Sequence, residues 1–169
     1  MNFRSLCLCI LLFTSLFQCA EFRSVVGEPA TTDTRRGNST TQLRQNMVDF
    51  ALAQQGAGYQ YGGRLPRTGF DCSGFTYFVY QNFDLQLTPV SRVQETEGRT
   101  IKLAQAQPGD LVFFRRSAAG KVFHVALVVE NSSDGLYVIH STSSRGVIRQ
   151  RITGNSYWEP KLSTARRYF

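Results

Sequence analysis

The chain has 169 residues, 42% of them hydrophobic, and a formal net charge of +7 from 19 Lys and Arg against 12 Asp and Glu. One domain with a single core is the expected size class once a leader and linker are set aside. The basic residues are scattered, without the interleaved basic and aromatic run that would support a nucleic-acid partner, and beyond the first 19 residues the one cysteine and two histidines lack the close ligand pairs of a zinc site.

The first elements in chain order concern address rather than fold. Arg4 gives a positive start, and Ser5 to Phe17 is an uncharged apolar run, short for a bilayer span and right for the apolar region of an export signal. Residues 1–19 therefore read as a signal peptide. Leu16-Phe17-Gln18-Cys19 has the look of a relaxed lipoprotein box, so Cys19 is either a lipid-bearing residue anchoring the chain to a membrane or part of a plain secretion signal. Either places the protein outside the cytoplasm, in a bacterial envelope or secreted. Residues 20–41, rich in Thr, Ser, Gly, Arg and acids, read as a flexible linker, and 42–169 as the domain.

Cys7, Cys9 and Cys19 fall in the leader, so Cys72 is the only thiol of the domain. An unpaired thiol in an exported domain is either a small core hydrophobe or functional.

Within the domain, Leu43, Met47, Phe50, Ala51 and Gln54 recur at helical spacing, with Thr40 or Thr41 as cap and Gly56 as stop. A glycine-rich loop leads to a second helix from Cys72 to about Gln81. A thiol in a first helical turn faces unpaired N–H groups and the positive end of the helix dipole, which favours the thiolate. Ser91 to Glu97 reads as a short polar helix. After Pro108-Gly109-Asp110, strand-like runs follow at Leu111–Phe114, Val122–Glu130, Leu136–Ser141 and Val147–Ile152, with a last one near Ala165–Tyr168. Helices first and strands afterwards predict an α+β domain with an antiparallel sheet of about five to six strands. Alternation puts His124 on the strand face of Ala126 and Val128, and His140 on that of Val138; each is expected to reach the Cys72 helix from that face.

Gly58-Tyr59-Gln60-Tyr61-Gly62-Gly63, Phe70-Asp71-Cys72-Ser73-Gly74-Phe75, Pro108-Gly109-Asp110-Leu111-Val112-Phe113-Phe114, His124-Val125-Ala126 and Ile139-His140 together resemble, in order, the blocks of the NlpC-type (NlpC/p60) cell-wall cysteine peptidases. The resemblance implies a papain-like fold and a catalytic triad with Cys72 as nucleophile, His124 as base and His140 as its orienting partner. It also implies that Tyr59 and the Cys72 N–H hold the oxyanion. Gly58 stands where relatives often have Pro, Tyr61 where Trp is common, and Val90 where Arg is frequent.

On the substrate side the resemblance implies that Asp71, Ser73 and Ser91 hold the free amine of a peptidoglycan stem peptide. Asp71 and Ser91 read equally as helix caps. The implied activity is a cysteine endopeptidase cutting γ-D-glutamyl–diamino-acid bonds in peptidoglycan stem peptides. It needs no cofactor and no metal, and the protein is expected to act as a monomer. An amidase or acyltransferase on the same scaffold, and a wall-binding protein without catalysis, are the alternatives.

Overall fold

A computed structural model describes residues 32–169. The signal expected at 1–19, with Cys19, and the linker up to residue 31 lie outside the described residues.

Helix α1 (Thr32–Leu52) begins earlier than the cap expected at Thr40 or Thr41. The Thr41 hydroxyl is turned back onto the helix and donates to the Gly37 carbonyl, 2.9 Å, instead of capping a helix start. Within the expected helix, Gln42 Nε2 donates to Asn46 Oδ1, 2.8 Å, an i, i+4 side-chain pair that supports it. Its buried stripe is Met47, Val48 and Ala51.

A two-stranded ribbon, β1 (Arg64–Leu65) with β2 (Gly69–Phe70), precedes α2 (Cys72–Gln81) and the short α3 (Ser91–Gln94). The main sheet has six antiparallel strands: β3 (Arg99–Ile101), β4 (Leu111–Arg115), β5 (Val122–Ser132), β6 (Gly135–Thr142), β7 (Gly146–Arg151) and β8 (Leu162–Arg167). Their spatial order is β3-β8-β4-β5-β6-β7. The α+β class and the strand count match expectation. Two details go beyond it: β3 has no distinct signal in the sequence, and β8, the strand expected near Ala165–Tyr168, lies between β3 and β4.

Both faces of the sheet are covered, which is why β4 is an unbroken apolar run. Leu111 and Phe113 of β4, Val125 and Leu127 of β5 and Ile139 of β6 pack on Phe75, Val79 and Tyr80 of α2 and Met47 of α1. Val112, Phe114, Ala126, Val128 and Val138 form a second cluster on the opposite face, closed by Ile152 and Trp158. The histidines share this second face, so the body of α2 lies on the other side of the sheet from them. The expectation that each histidine reaches α2 across one shared face is corrected: only the N-terminal end of α2 meets the cleft that His124 lines.

Asp110 ties the two ends of the domain together. Its fully buried carboxylate accepts from Arg44 Nη1 of α1, 3.1 Å, from Arg167 Nε and Nη2 of β8, 3.0 and 2.7 Å, and from the Gln107 N–H, 2.8 Å. A buried carboxylate is tolerable with that many charged and hydrogen-bonding partners.

Candidate active site

The chain entering α2 is held from three sides. The Phe70 N–H donates to Gly58 O, 2.9 Å, and its carbonyl accepts from Gln60 N–H, 3.1 Å, and from the Ser141 hydroxyl of β6, 2.7 Å. Tyr59, in a parallel bridge with Phe70, is thereby fixed beside Cys72. Asp71 is extended and caps α2: Oδ1 accepts from the Gly74 N–H, 2.6 Å, and the Ser73 hydroxyl, 3.0 Å, while Oδ2 accepts from the Gly62 N–H, 2.9 Å. Cys72 is thus the first helical residue. Gly74 has no room for a side chain, because a Cβ there would sit inside the Gly63 carbonyl oxygen.

Fully buried Gln94 of α3 fastens the first turn of α2 from behind. Its Nε2 donates to Ser73 O and its Oε1 accepts from the Thr76 hydroxyl, each 3.1 Å. Ser91 is not the cap of α3: Val90 occupies that place and no side chain bonds there.

The β5–β6 ladder runs from the hairpin at Ser132 and Gly135 to the pair Leu127–Ile139 and stops. Beyond it the backbone of β5 is free on that side, and the Val125 N–H turns to the Cys72 sulfur. Ser141, beyond it on β6, bonds Phe70 as described. The entry of α2 therefore occupies the place where two strands part.

On the other face of the same strands, His124 Nε2 lies 2.9 Å from His140 Nδ1. The proton positions follow from the next two contacts. His140 Nε2 is 3.1 Å from Gln150 Oε1, and Arg145 Nη2 donates to that same oxygen, 3.1 Å, which fixes the amide's orientation. His140 must then carry its proton on Nε2 and present Nδ1 as an acceptor, so His124 carries its proton on Nε2. The lone pair of His124 is on Nδ1, the nitrogen available to a thiol. Trp158 packs over both rings, with centroids 4.5 Å from His124 and 5.0 Å from His140, and shields the pair.

Electrostatics set the resting state. Burial pushes the Cys72 thiol up to about 11; the Val125 N–H opposes this, the Asp71 carboxylate adds to it, and the N–H groups of Ser73 and Cys72 oppose it again. The expectation of a thiolate favoured by the helix end is corrected, since desolvation outweighs the N–H groups. Burial, and then His140, hold His124 well below the usual histidine range. Burial also lowers His140 to about 4, against the upward pull of Gln150 and with a further push down from Arg145. Burial raises Tyr59, as do the neighbouring Cys72 sulfur once ionised and the Asp71 carboxylate. The resting site is thus a neutral thiol facing neutral imidazoles, and the thiolate must form by transfer to His124 during the reaction.

Two cavities open from Cys72. One, of about 650 Å³, is lined by Tyr59, Cys72, His124, Arg116, Arg145 and Trp158 among others. The second, of about 470 Å³, is lined by Tyr59 and Cys72 again, with Asp71, Ser73 and Ser91. All seven residues singled out in the sequence therefore line these two cavities or lie directly behind them, Tyr59 and Cys72 lining both and His140 being the one behind. Gln150 and Trp158 were missed as site residues, and Gln94, which ends a block Pro89-Val90-Ser91-Arg92-Val93-Gln94 resembling the family's Pro-x-Ser-x-x-Gln, was given no role. Trp158 is the chain's sole tryptophan, a signal that was available. Gln150 carries none: only the β6–β7 register, Val138 opposite Gln150 and His140 opposite Ile148, makes it a diagonal neighbour of His140. Among the described residues, no group of three His, Cys, Asp or Glu could hold a metal ion.

Comparison with known proteins agrees with this geometry. Residues 56–167 match the NlpC/P60 family. The chain is 32% identical over 160 residues to the probable endopeptidase NlpC of Escherichia coli (strain K12), a match covering 94% of this chain and 97% of that one. It is 37% identical over 111 residues to the gamma-DL-glutamyl hydrolase of Bacillus subtilis (strain 168), covering 64% of this chain and 26% of that protein. Among solved structures, an NlpC/P60 family protein from Bacillus cereus ATCC 10987 superposes with a TM-score of 0.68 at 28% identity, over 74% of this chain and 40% of the other. That likeness carries the papain-like fold.

Proposed function

The chain belongs to the NlpC/P60 family of cysteine peptidases, and from that premise we propose that it hydrolyses γ-D-glutamyl–diamino-acid bonds in peptidoglycan stem peptides. The observation that carries the chemistry is the His124–His140 pair, 2.9 Å apart, with its tautomer set by Gln150 and its basic Nδ1 left for the cleft it shares with Cys72. His124 takes the thiol proton as the sulfur attacks the acyl carbon. The tetrahedral oxyanion is held by the Cys72 N–H and the Tyr59 hydroxyl. The imidazolium, its Nε2–H directed at neutral His140 and its face on Trp158, then gives its proton to the departing amine. Water, deprotonated by His124, releases the acyl group from Cys72.

Support for the γ-D-glutamyl bond comes from the second cavity. Asp71 Oδ1 and Oδ2 already accept three hydrogen bonds, and a carboxylate has about four acceptor positions, so one remains for a ligand ammonium. The Ser91 hydroxyl, bound to no helix end, lies on the same cavity. Both suit the free amine of a short acyl-side peptide, and an amine requirement restricts action to stems already cut from glycan. A substrate in the wall agrees with the export expected of residues 1–19.

The test is to incubate the protein with intact peptidoglycan and with free stem peptides and to identify products by mass spectrometry. Cleavage after L-Ala–γ-D-Glu in free stems is expected. Release of whole stems from glycan would instead make it an amidase, and no product from either substrate would leave only wall binding.

A further inference from the structure

The two cavities differ in charge, and the difference bears on which residue the enzyme accepts after the scissile bond. This inference rests on the endopeptidase reading above. The departing nitrogen must lie within reach of the imidazolium that protonates it. His124 lines the 650 Å³ cavity and not the other, so that cavity holds the leaving group. Two cations line it, Arg116 and Arg145, and no Asp or Glu does.

Neither arginine has a carboxylate partner among the described residues, and both are exposed. Arg116 lies over the Phe123 ring, its guanidinium carbon 4.8 Å from the centroid, an arrangement that orients the group and leaves its edge donors open. Arg145 gives one N–H to Gln150 and keeps the others. Its position is fixed by the β6–β7 turn, where its backbone N–H donates to the Thr142 hydroxyl, 3.3 Å. Gly146, at φ 63, lets that turn press on the Ala57 carbonyl, next to the segment carrying Tyr59. The arginine is thereby held in register with the oxyanion group.

We infer that Arg116 and Arg145 form a carboxylate site for the leaving residue and select a diamino acid bearing a second carboxylate, diaminopimelate, over lysine. In a stem continued by D-Ala, the α-carboxyl of that residue is already in an amide bond. Its side-chain carboxylate is then the free anion that sets diaminopimelate apart from lysine on this side of the cut, because the terminal D-Ala carboxylate is common to both. Lysine offers an ammonium to the same two cations and is repelled.

The test measures kcat/KM on four peptides L-Ala–γ-D-Glu–X–D-Ala: X as diaminopimelate, as its side-chain amide, as lysine, and as diaminopimelate with the glutamate α-carboxylate amidated. Wild type is expected to favour free diaminopimelate over its amide and over lysine by about tenfold or more, the scale of a charge-assisted hydrogen bond. Arg116→Ala should shrink that ratio several-fold, Arg116→Glu should turn preference toward lysine, and Arg145→Lys should keep the wild-type order. Equal rates on diaminopimelate, its amide and lysine overturn the inference while the endopeptidase reading stands. So does a dependence on the glutamate α-carboxylate alone. Failure to cut any of the four, with wall material cut elsewhere, overturns that reading and this inference together.

Discussion

His124 and His140 stand on one face of adjacent strands, on the side away from α2, with Nε2 of the first 2.9 Å from Nδ1 of the second. That contact makes a pair of neutral imidazoles behave as a directed unit: one ring accepts the thiol proton because the other fixes its tautomer and receives its N–H. What His140 supplies is an acceptor in a fixed place, not a charge.

His140→Ala is therefore expected to lower kcat by about 100-fold or more with KM little changed, because ground-state binding does not use the ring. His140→Asn can present an amide oxygen to the same N–H and should retain more activity than alanine. Steady-state kinetics on one stem peptide checks the order wild type, asparagine, alanine. Asparagine at or below alanine would remove the acceptor role.

Burial of His140 also couples stability to pH. Its folded value of about 4 lies below the ordinary 6.5, so between those pH values the unfolded chain binds a proton that the folded site refuses. Stability is full above pH 6.5 and falls as pH drops toward 4, by up to about 3 kcal/mol from this group. Depression of His124 adds in the same direction. Denaturant midpoints at pH 7 and pH 4.5 should separate widely in wild type and less in His140→Asn; equal separations would contradict the buried neutral ring.

Gln150 acts through His140. Gln150→Leu leaves His140 Nε2 without its acceptor and frees the tautomer, so kcat should fall by roughly 10- to 100-fold. Gln150→Glu keeps an acceptor and adds a negative charge, which raises the His140 pKa and should move the acidic limb of the kcat profile to higher pH. An unmoved limb would show that His140 does not titrate with the active form.

Gly74→Ala is a test of the α2 entry. A methyl there overlaps the Gly63 carbonyl, forcing apart the first turn of α2 and the loop whose Gly62 N–H binds Asp71. A stability loss of about 1–3 kcal/mol is expected, together with reduced activity in the fraction that stays folded. Thermal melts and kinetics report the two effects separately; a variant of wild-type stability would mean the loop and helix are not in contact.

Much of this site is legible in the sequence. Cys72 after Asp71, followed by an apolar run, marks a capped helix start, and both histidines lie in alternating strands; such local patterns survive folding unchanged. What the sequence did not disclose depends on register and burial. Gln150 becomes a site residue only when β7 pairs with β6, and the face of α2 is chosen by Phe75, Val79 and Tyr80 packing on Val125, Leu127 and Ile139. The thiol's charge state reversed for a similar reason. A helix start is visible in the sequence, but the desolvation that pushes Cys72 up to about 11 comes from chain segments far away along it. Strand β8 escaped placement because its partners, Leu111 to Phe114 and Arg99 to Ile101, are remote in sequence.

The proposed reaction turns on Cys72 carrying the acyl group. Its most direct test is acid quenching during turnover of a L-Ala–γ-D-Glu amide or anilide, followed by intact-mass measurement and peptide mapping. A thioester of the dipeptide on the peptide containing Cys72, absent in Cys72→Ala and lost on standing at neutral pH, is the result expected. Turnover persisting in Cys72→Ala, or an adduct on any other residue, would contradict it.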